Sequence, residues 1–346
     1  MLTVRQRANI TGDFHRRTPN RYQVSVAVAA GRGRFDVDWP RVLALGLLII
    51  YHCVVSFQPW ASAIFFPQNE ESLDGLWILM SMVNVWRIPI LFLISGMGVR
   101  FAMERRDWCQ LLKDRTIRIL IPFVFGFFVI SPIFIAFALA FYGYDLAYVP
   151  DPGHLWFLAN IYLYVLLLLP VLAYLKNRPD SVIWRVLSRP LSWPLGILLF
   201  ALPLMLEAWL VDPENYATYA MTPHGFLLGL LCFFFGFAFV SLQDLFWPAT
   251  ERIRWFALTM AFLLYLARLW IFFEMETAFN ELIAFESMCW MLAIFGFASR
   301  CLNRPSRSLH YFSTAVYPVY IVHLPVQFFL AIFLFPLALP APIKLI

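Results

Sequence analysis

The sequence predicts an all-α, polytopic bundle embedded in a membrane, and three observations predict it. Of the 346 residues, 62% are hydrophobic and 18% aromatic, with a mean hydropathy of +0.73. A soluble domain holds only about 45–50% apolar residues. Apolar runs of about 20 residues recur along nearly the whole chain, the length a helix needs to cross hydrocarbon. There the backbone must satisfy its own hydrogen bonds, so helices are the expected spans. A membrane β-barrel would show short alternating strands instead. Finally, positive charge is confined to every second loop between these runs.

Nine complete spans are expected, at approximately Val42–Phe57, Leu76–Val99, Thr116–Phe141, Leu155–Leu175, Leu191–Leu210, His224–Leu242, Trp255–Phe273, Ala278–Ser299 and Tyr311–Phe335. Eight Lys/Arg precede the first span, and none lies in "QPWASAIFFPQNEESLDG" after it. Six follow between Arg100 and Arg118, then none in "YGYDLAYVPDPGH". The alternation continues to Arg300, Arg304 and Arg307. By the positive-inside rule the N-terminus is cytoplasmic and the acidic loops face outward. The net charge of +5 is therefore a matter of topology, and no nucleic acid partner is implied. Residues 1–34 read as a disordered, basic cytoplasmic arm, with 35–346 as the membrane domain. "VSVAVAA" is short for a signal-peptide core and is followed by arginines, so no cleavage is expected. A mitochondrial presequence is the weaker alternative. The C-terminal "LALPAPIKLI" stops where a tenth span could begin; either the chain ends at nine spans or the last is lacking. The five cysteines are odd in number and lack CxxC spacing, so neither a disulfide framework nor a zinc site is suggested.

Ionisable side chains inside a membrane are costly and face a cavity or a partner. Here they are His52, Arg87, Glu207, Arg268, Glu286 and His323. Counted from the cytoplasmic ends at the helical rise, His52 lies roughly 16 Å deep, His323 roughly 18 Å, and Arg87, Arg268 and Glu286 roughly 20 Å. Glu207 lies further out, at roughly 24 Å. Five polar groups from five helices thus share one layer, which implies a polar chamber. An Arg268–Glu286 pair that only ties two helices together is the competing reading of those two residues.

Arg41 and His52 are eleven residues apart, close to three full turns, so they share one helix face. A cation at the cytoplasmic mouth with an imidazole deep above it suits a long, thin ligand with an anionic head and a reactive tail. An acyl-CoA has that shape. An imidazole is suited to act as general base on an acceptor hydroxyl. "RRDWCQLLKDRTIRILIP" adds Arg115 and Arg118, three apart and expected on one face. Topology alone would also make that loop basic.

Five stretches, in order, resemble the type-three acyltransferase family of integral membrane proteins. They are Arg41-x10-His52, "WRIPILFLISGMG" (Trp86 to Gly98), "RTIRILIP" (Arg115 to Pro122), "HLWFL" (His154 to Leu158) and "YPVYIVHLPV" (Tyr317 to Val326). The resemblance covers about Phe35 to Pro336, and within the family it lies nearest the branch of glucan biosynthesis protein C, associated with glucan succinylation. It implies a membrane O-acyltransferase, set in a bacterial inner membrane, that moves an acetyl or succinyl group from cytoplasmic acetyl-CoA or succinyl-CoA to a hydroxyl of an extracytoplasmic glycan. His52 is implied as the catalytic histidine, with Arg87 and His323 beside it. Arg41, Arg115 and Arg118 are implied for acyl-CoA binding. His154, Trp156, Tyr320, Arg268 and Glu286 are expected on the substrate side, and no metal is expected. Members commonly have ten spans, and this chain shows nine. The rival reading is a transporter of small organic acids or a lipid-linked intermediate, since a midplane polar chamber also suits carriers. A structural membrane subunit is the third.

Overall fold

The structure is a computed structural model that describes residues 34–274 and 277–345. Apart from Arg34, the basic arm expected over 1–34 lies outside the described residues. Among the described residues, eight helices are long and apolar enough to cross a membrane: α1 (Phe35–Val55), α2 (Leu76–Met103), α3 (Trp108–Phe141), α4 (Gly153–Asn177), α7 (Pro223–Ser241), α8 (Gln243–Phe273), α9 (Asn280–Leu302) and α10 (Arg307–Leu334). Between α4 and α7 lie α5 (Val182–Ser192) and α6 (Gly196–Val211). Side-chain caps start several of them: Asp107 and Gln110 form a capping box on α3, and Ser181, Thr222 and Ser306 cap α5, α7 and α10.

The ninth expected span, Leu191–Leu210, is the shorter apolar helix α6, which opens with a 3-10 stretch at Gly196–Phe200. It nevertheless runs from one end of the bundle to the other. At its start lie α5 and Trp184, whose indole stacks on Phe237 near the Ser241 end of α7, where Arg100 donates to Ser241. At its finish, Asp212 and Pro213 are bonded by Asn280 at the beginning of α9. Helix α5 is amphipathic: Trp184 is buried and donates to the Leu175 carbonyl at 3.0 Å, while Arg185 and Arg189 are exposed. That is the pattern of a helix lying along an interface.

α2, α7 and α9 are mostly buried within the bundle, whereas α3, α8 and α10 mostly present apolar side chains outward. Small residues let the central pair approach. A methyl group on Gly96 would stand 1.9 Å from the Phe233 carbonyl, and one on Gly236 would stand 1.8 Å from that of Leu93. Contact this close is the usual means of packing helices where lipid removes the hydrophobic drive between them. Around this axis α1 packs on both α2 and α10, and α8 packs on α9. The neighbouring positions of α1 and α10 bring the first and last long helices together, and with them the two histidines.

Candidate active site

The expected polar layer separates into parts. His52 on α1 and His323 on α10 meet directly, with Nδ1 of His52 2.8 Å from Nε2 of His323 and the rings stacked at 5.1 Å. Nδ1 of His323 lies 2.7 Å from the backbone carbonyl of Tyr320, one turn earlier in α10. A carbonyl only accepts, so His323 carries its proton on Nδ1. Its Nε2 is then a lone pair, and Nδ1–H of His52 must donate to it. This fixes the neutral His52 tautomer with Nε2 as a free lone pair. Among the described residues that nitrogen has no hydrogen-bond partner, and His52 lines a cavity of about 680 Å³.

The cavity is walled by Leu48, Tyr51 and His52 of α1, by Asn84 and Arg87 of α2, by His154 and Trp156 of α4, and by Tyr320 of α10. Trp60, Trp77 and the Asn215–Ala220 stretch of the α6–α7 loop complete it at the end opposite the arginine-rich loops. Its volume falls in the range of small-molecule sites. Arg87 is 4% exposed, stacks over the Tyr51 ring at 3.8 Å and donates to Asn84 at 3.0 Å. Its Nε and Nη1 have no partner, and among the described residues no carboxylate pairs with it. A buried guanidinium left this way favours a ligand that brings negative charge.

Two prolines shape the walls. Pro325 has no N–H, so the Ile321 carbonyl of α10 lacks its helical donor. Nε2 of His154 lies 3.1 Å from that oxygen. Pro89 likewise frees the Val85 carbonyl of α2, and the Tyr219 hydroxyl donates to it at 3.0 Å. The Tyr320 hydroxyl donates to the His154 carbonyl, tying α10 to the start of α4. The carbonyls that these two prolines leave free are thus where side chains from other elements fasten on.

Other expected residues lie elsewhere. Arg268 and Glu286 form a bidentate pair at 2.8 and 2.9 Å, supplemented by Arg268 donating to the Ser81 carbonyl. Neither lines the cavity, so the five-residue layer does not form one chamber. Glu207 pairs with His224 of α7 at 3.0 Å, away from the cavity lining. Arg41 shares the His52 face of α1 but binds Asp38 at 2.7 Å, within the first turns. Arg115 and Arg118 take different partners. Beside a π-helical stretch over Thr116–Leu120, Arg115 bonds inward to the Gly98 carbonyl and exposed Arg118 pairs with Asp114. None of the three arginines lines the cavity. Tyr51, Asn84, Asn215, Thr218 and Tyr219 do line it and escaped a search restricted to charged residues and histidines. Pro89, which requires a partner for Val85, is the signal that points to Tyr219.

A multi-helix membrane fold holding an oriented imidazole, with an unpaired guanidinium on the same cavity, has the parts of an integral membrane enzyme. The chain belongs to the type-three acyltransferase family: the family model of its acyltransferase domain matches residues 34–346. It is therefore a multi-pass membrane acyltransferase, acting on groups other than aminoacyl groups. Neither the curated proteins nor the solved structures give a match to it.

Proposed function

We propose that this protein moves an acyl group from cytoplasmic acyl-CoA to a hydroxyl of an extracytoplasmic carbohydrate, with His52 as general base. The observation that supports this reading most is the hydrogen-bond order from the Tyr320 carbonyl through His323 to His52, which leaves Nε2 of His52 as a lone pair on the cavity. The acceptor hydroxyl gives its proton to that nitrogen as its oxygen attacks the thioester carbon. The developing oxyanion is met by the free N–H groups of Arg87. As the tetrahedral species collapses, the C–S bond breaks, the ester C–O bond stands, and His52 returns the proton to the departing thiolate.

Arg41, Arg115 and Arg118 serve the anionic head of the donor at the cytoplasmic face, and the aromatic rim of Trp60, Trp77 and Trp156 receives the acceptor from outside. Of the two donors, succinyl-CoA is favoured over acetyl-CoA. Arg268 is already paired with Glu286, and Arg87 has two unpartnered nitrogens, Nε and Nη1, so that one can meet the oxyanion while the other meets a distal carboxylate. A periplasmic glucan in a bacterial envelope is the acceptor we favour, on the motif resemblance to the glucan biosynthesis branch. The test is ester analysis by mass spectrometry of envelope glycans from intact, deleted and His52→Ala strains. An ester mass lost in both altered strains supports the reading and names the acyl group. Identical glycans in all three count against a carbohydrate acceptor in the envelope.

A further inference from the structure

His154 stands out among the cavity residues because its two ring nitrogens are in different states. Nε2 faces the Ile321 carbonyl at 3.1 Å, the oxygen that Pro325 leaves without a helical donor. That contact requires the proton on Nε2, and the neutral ring then has its lone pair on Nδ1. Nδ1 is buried and without a partner, in a side chain that is 9% exposed and lines the cavity. A buried acceptor left unsatisfied costs free energy, which a donor on a ligand recovers.

His154 also has a fixed relation to the base. Its ring meets His323 edge-on at 4.8 Å, and His323 holds His52 in a stack at 5.1 Å. Two imidazole lone pairs, Nδ1 of His154 and Nε2 of His52, therefore belong to rings packed against one shared imidazole and to one cavity. The proposed reaction uses only one of them. The other has no thioester or leaving-group task, since the proton taken by His52 goes back to the thiolate.

We infer that His154 is a specificity residue, whose Nδ1 accepts a hydrogen bond from a second hydroxyl next to the one that reacts, so that the acceptor is a vicinal diol. Neighbouring hydroxyls, each reaching about 2.8 Å, can engage acceptors on either side of one imidazole. The pairing also selects which hydroxyl of a sugar is acylated, because the partner hydroxyl must fall on the His154 side. This inference rests on the acyl-transfer reading above but makes a separate claim about binding.

The experiment uses the full chain in liposomes and two probes, trans-1,2-cyclohexanediol and cyclohexanol. Binding is read from quenching of tryptophan fluorescence, since Trp60, Trp77 and Trp156 line the cavity. Acyl transfer to the same two alcohols is read as kcat/KM with succinyl-CoA and acetyl-CoA. The intact protein should prefer the diol by about tenfold. His154→Gln keeps an N–H for Ile321 but no acceptor at the Nδ1 position, and should lose the preference. His154→Asn keeps an oxygen at the Nδ1 position but loses the Ile321 contact, and should retain it. The reverse order of the two variants, or no preference in the intact protein, overturns the inference and leaves the acyl-transfer reading standing. A diol preference in binding that follows the expected order, with no acyl transfer to either alcohol, supports the role of His154 and counts against the proposed function.

Discussion

His52 and His224 are both enclosed by the bundle, and the contrast between them separates a reactive imidazole from a structural one. His224 is 1% exposed, with Nδ1 on the Glu207 carboxylate at 3.0 Å and Nε2 on the Tyr216 carbonyl at 3.0 Å. Its ring lies between Tyr216 and Tyr219, whose loop forms the outer wall of the cavity. Both nitrogens are engaged, so the ring has nothing left with which to take a proton from a ligand. His52 has one nitrogen engaged and one open to the cavity. Residue type is shared; His52 is half-buried where His224 is fully buried, and the number of satisfied nitrogens differs.

The contrast can be broken or sharpened by substitution, taken from the largest effect to the smallest. His52→Ala should lower acyl transfer by about 10²–10⁴-fold, the contribution of a positioned base, while the thermal unfolding profile stays near that of the intact protein. A variant that retains full turnover would remove His52 from the mechanism. His224→Ala should do the opposite. It strands Glu207 in the bundle and should cost about 3–5 kcal/mol of stability, seen as a lower Tm, with turnover per folded molecule falling far less than for His52→Ala. His323→Phe keeps the ring volume but removes the acceptor for His52 Nδ1. A loss on the order of 10–100-fold in kcat with little change in KM is expected, the size typical when an imidazole loses the group that orients it. A KM effect alone would assign His323 to binding instead. Tyr219→Phe leaves the Val85 carbonyl without its donor and should cost about 1–2 kcal/mol in unfolding free energy, with a raised KM for the acceptor.

Much of this was legible in the residues. Alternating loop charge led to nine expected spans, and the ninth, Leu191–Leu210, is the shorter apolar helix α6, while eight helices among the described residues are long and apolar enough to cross. The eleven-residue interval placed Arg41 and His52 on one face of α1, and depth counting placed His52 and His323 at one level. Depth, however, says nothing about azimuth. Arg268 and Glu286 share that level yet face each other, 2.8 Å apart, because a guanidinium and a carboxylate on adjacent packed helices neutralise one another. The partners of Arg115 and Arg118, the Gly98 carbonyl and Asp114, were not legible in "RTIRIL", because the interval between two arginines does not say what each will bind. His224 was hidden by its position at the very start of its span. Its role depends on Glu207, seventeen residues earlier, and on a loop carbonyl that no pattern of side chains announces.

The order of the His52–His323 chain begins at a backbone carbonyl, that of Tyr320, and not at an acid. In the proposed reaction this has a consequence for the protonated base. A histidine backed by a carboxylate gains a counter-charge when it becomes cationic; among the described residues His52 and His323 have only a neutral dipole behind them. The imidazolium then has no counter-charge behind it, and its proton goes to the departing thiolate. Such a support also persists through any change of the Tyr320 side chain, so the tautomer of the base is inherited from the course of the helix rather than from a residue that drift can replace.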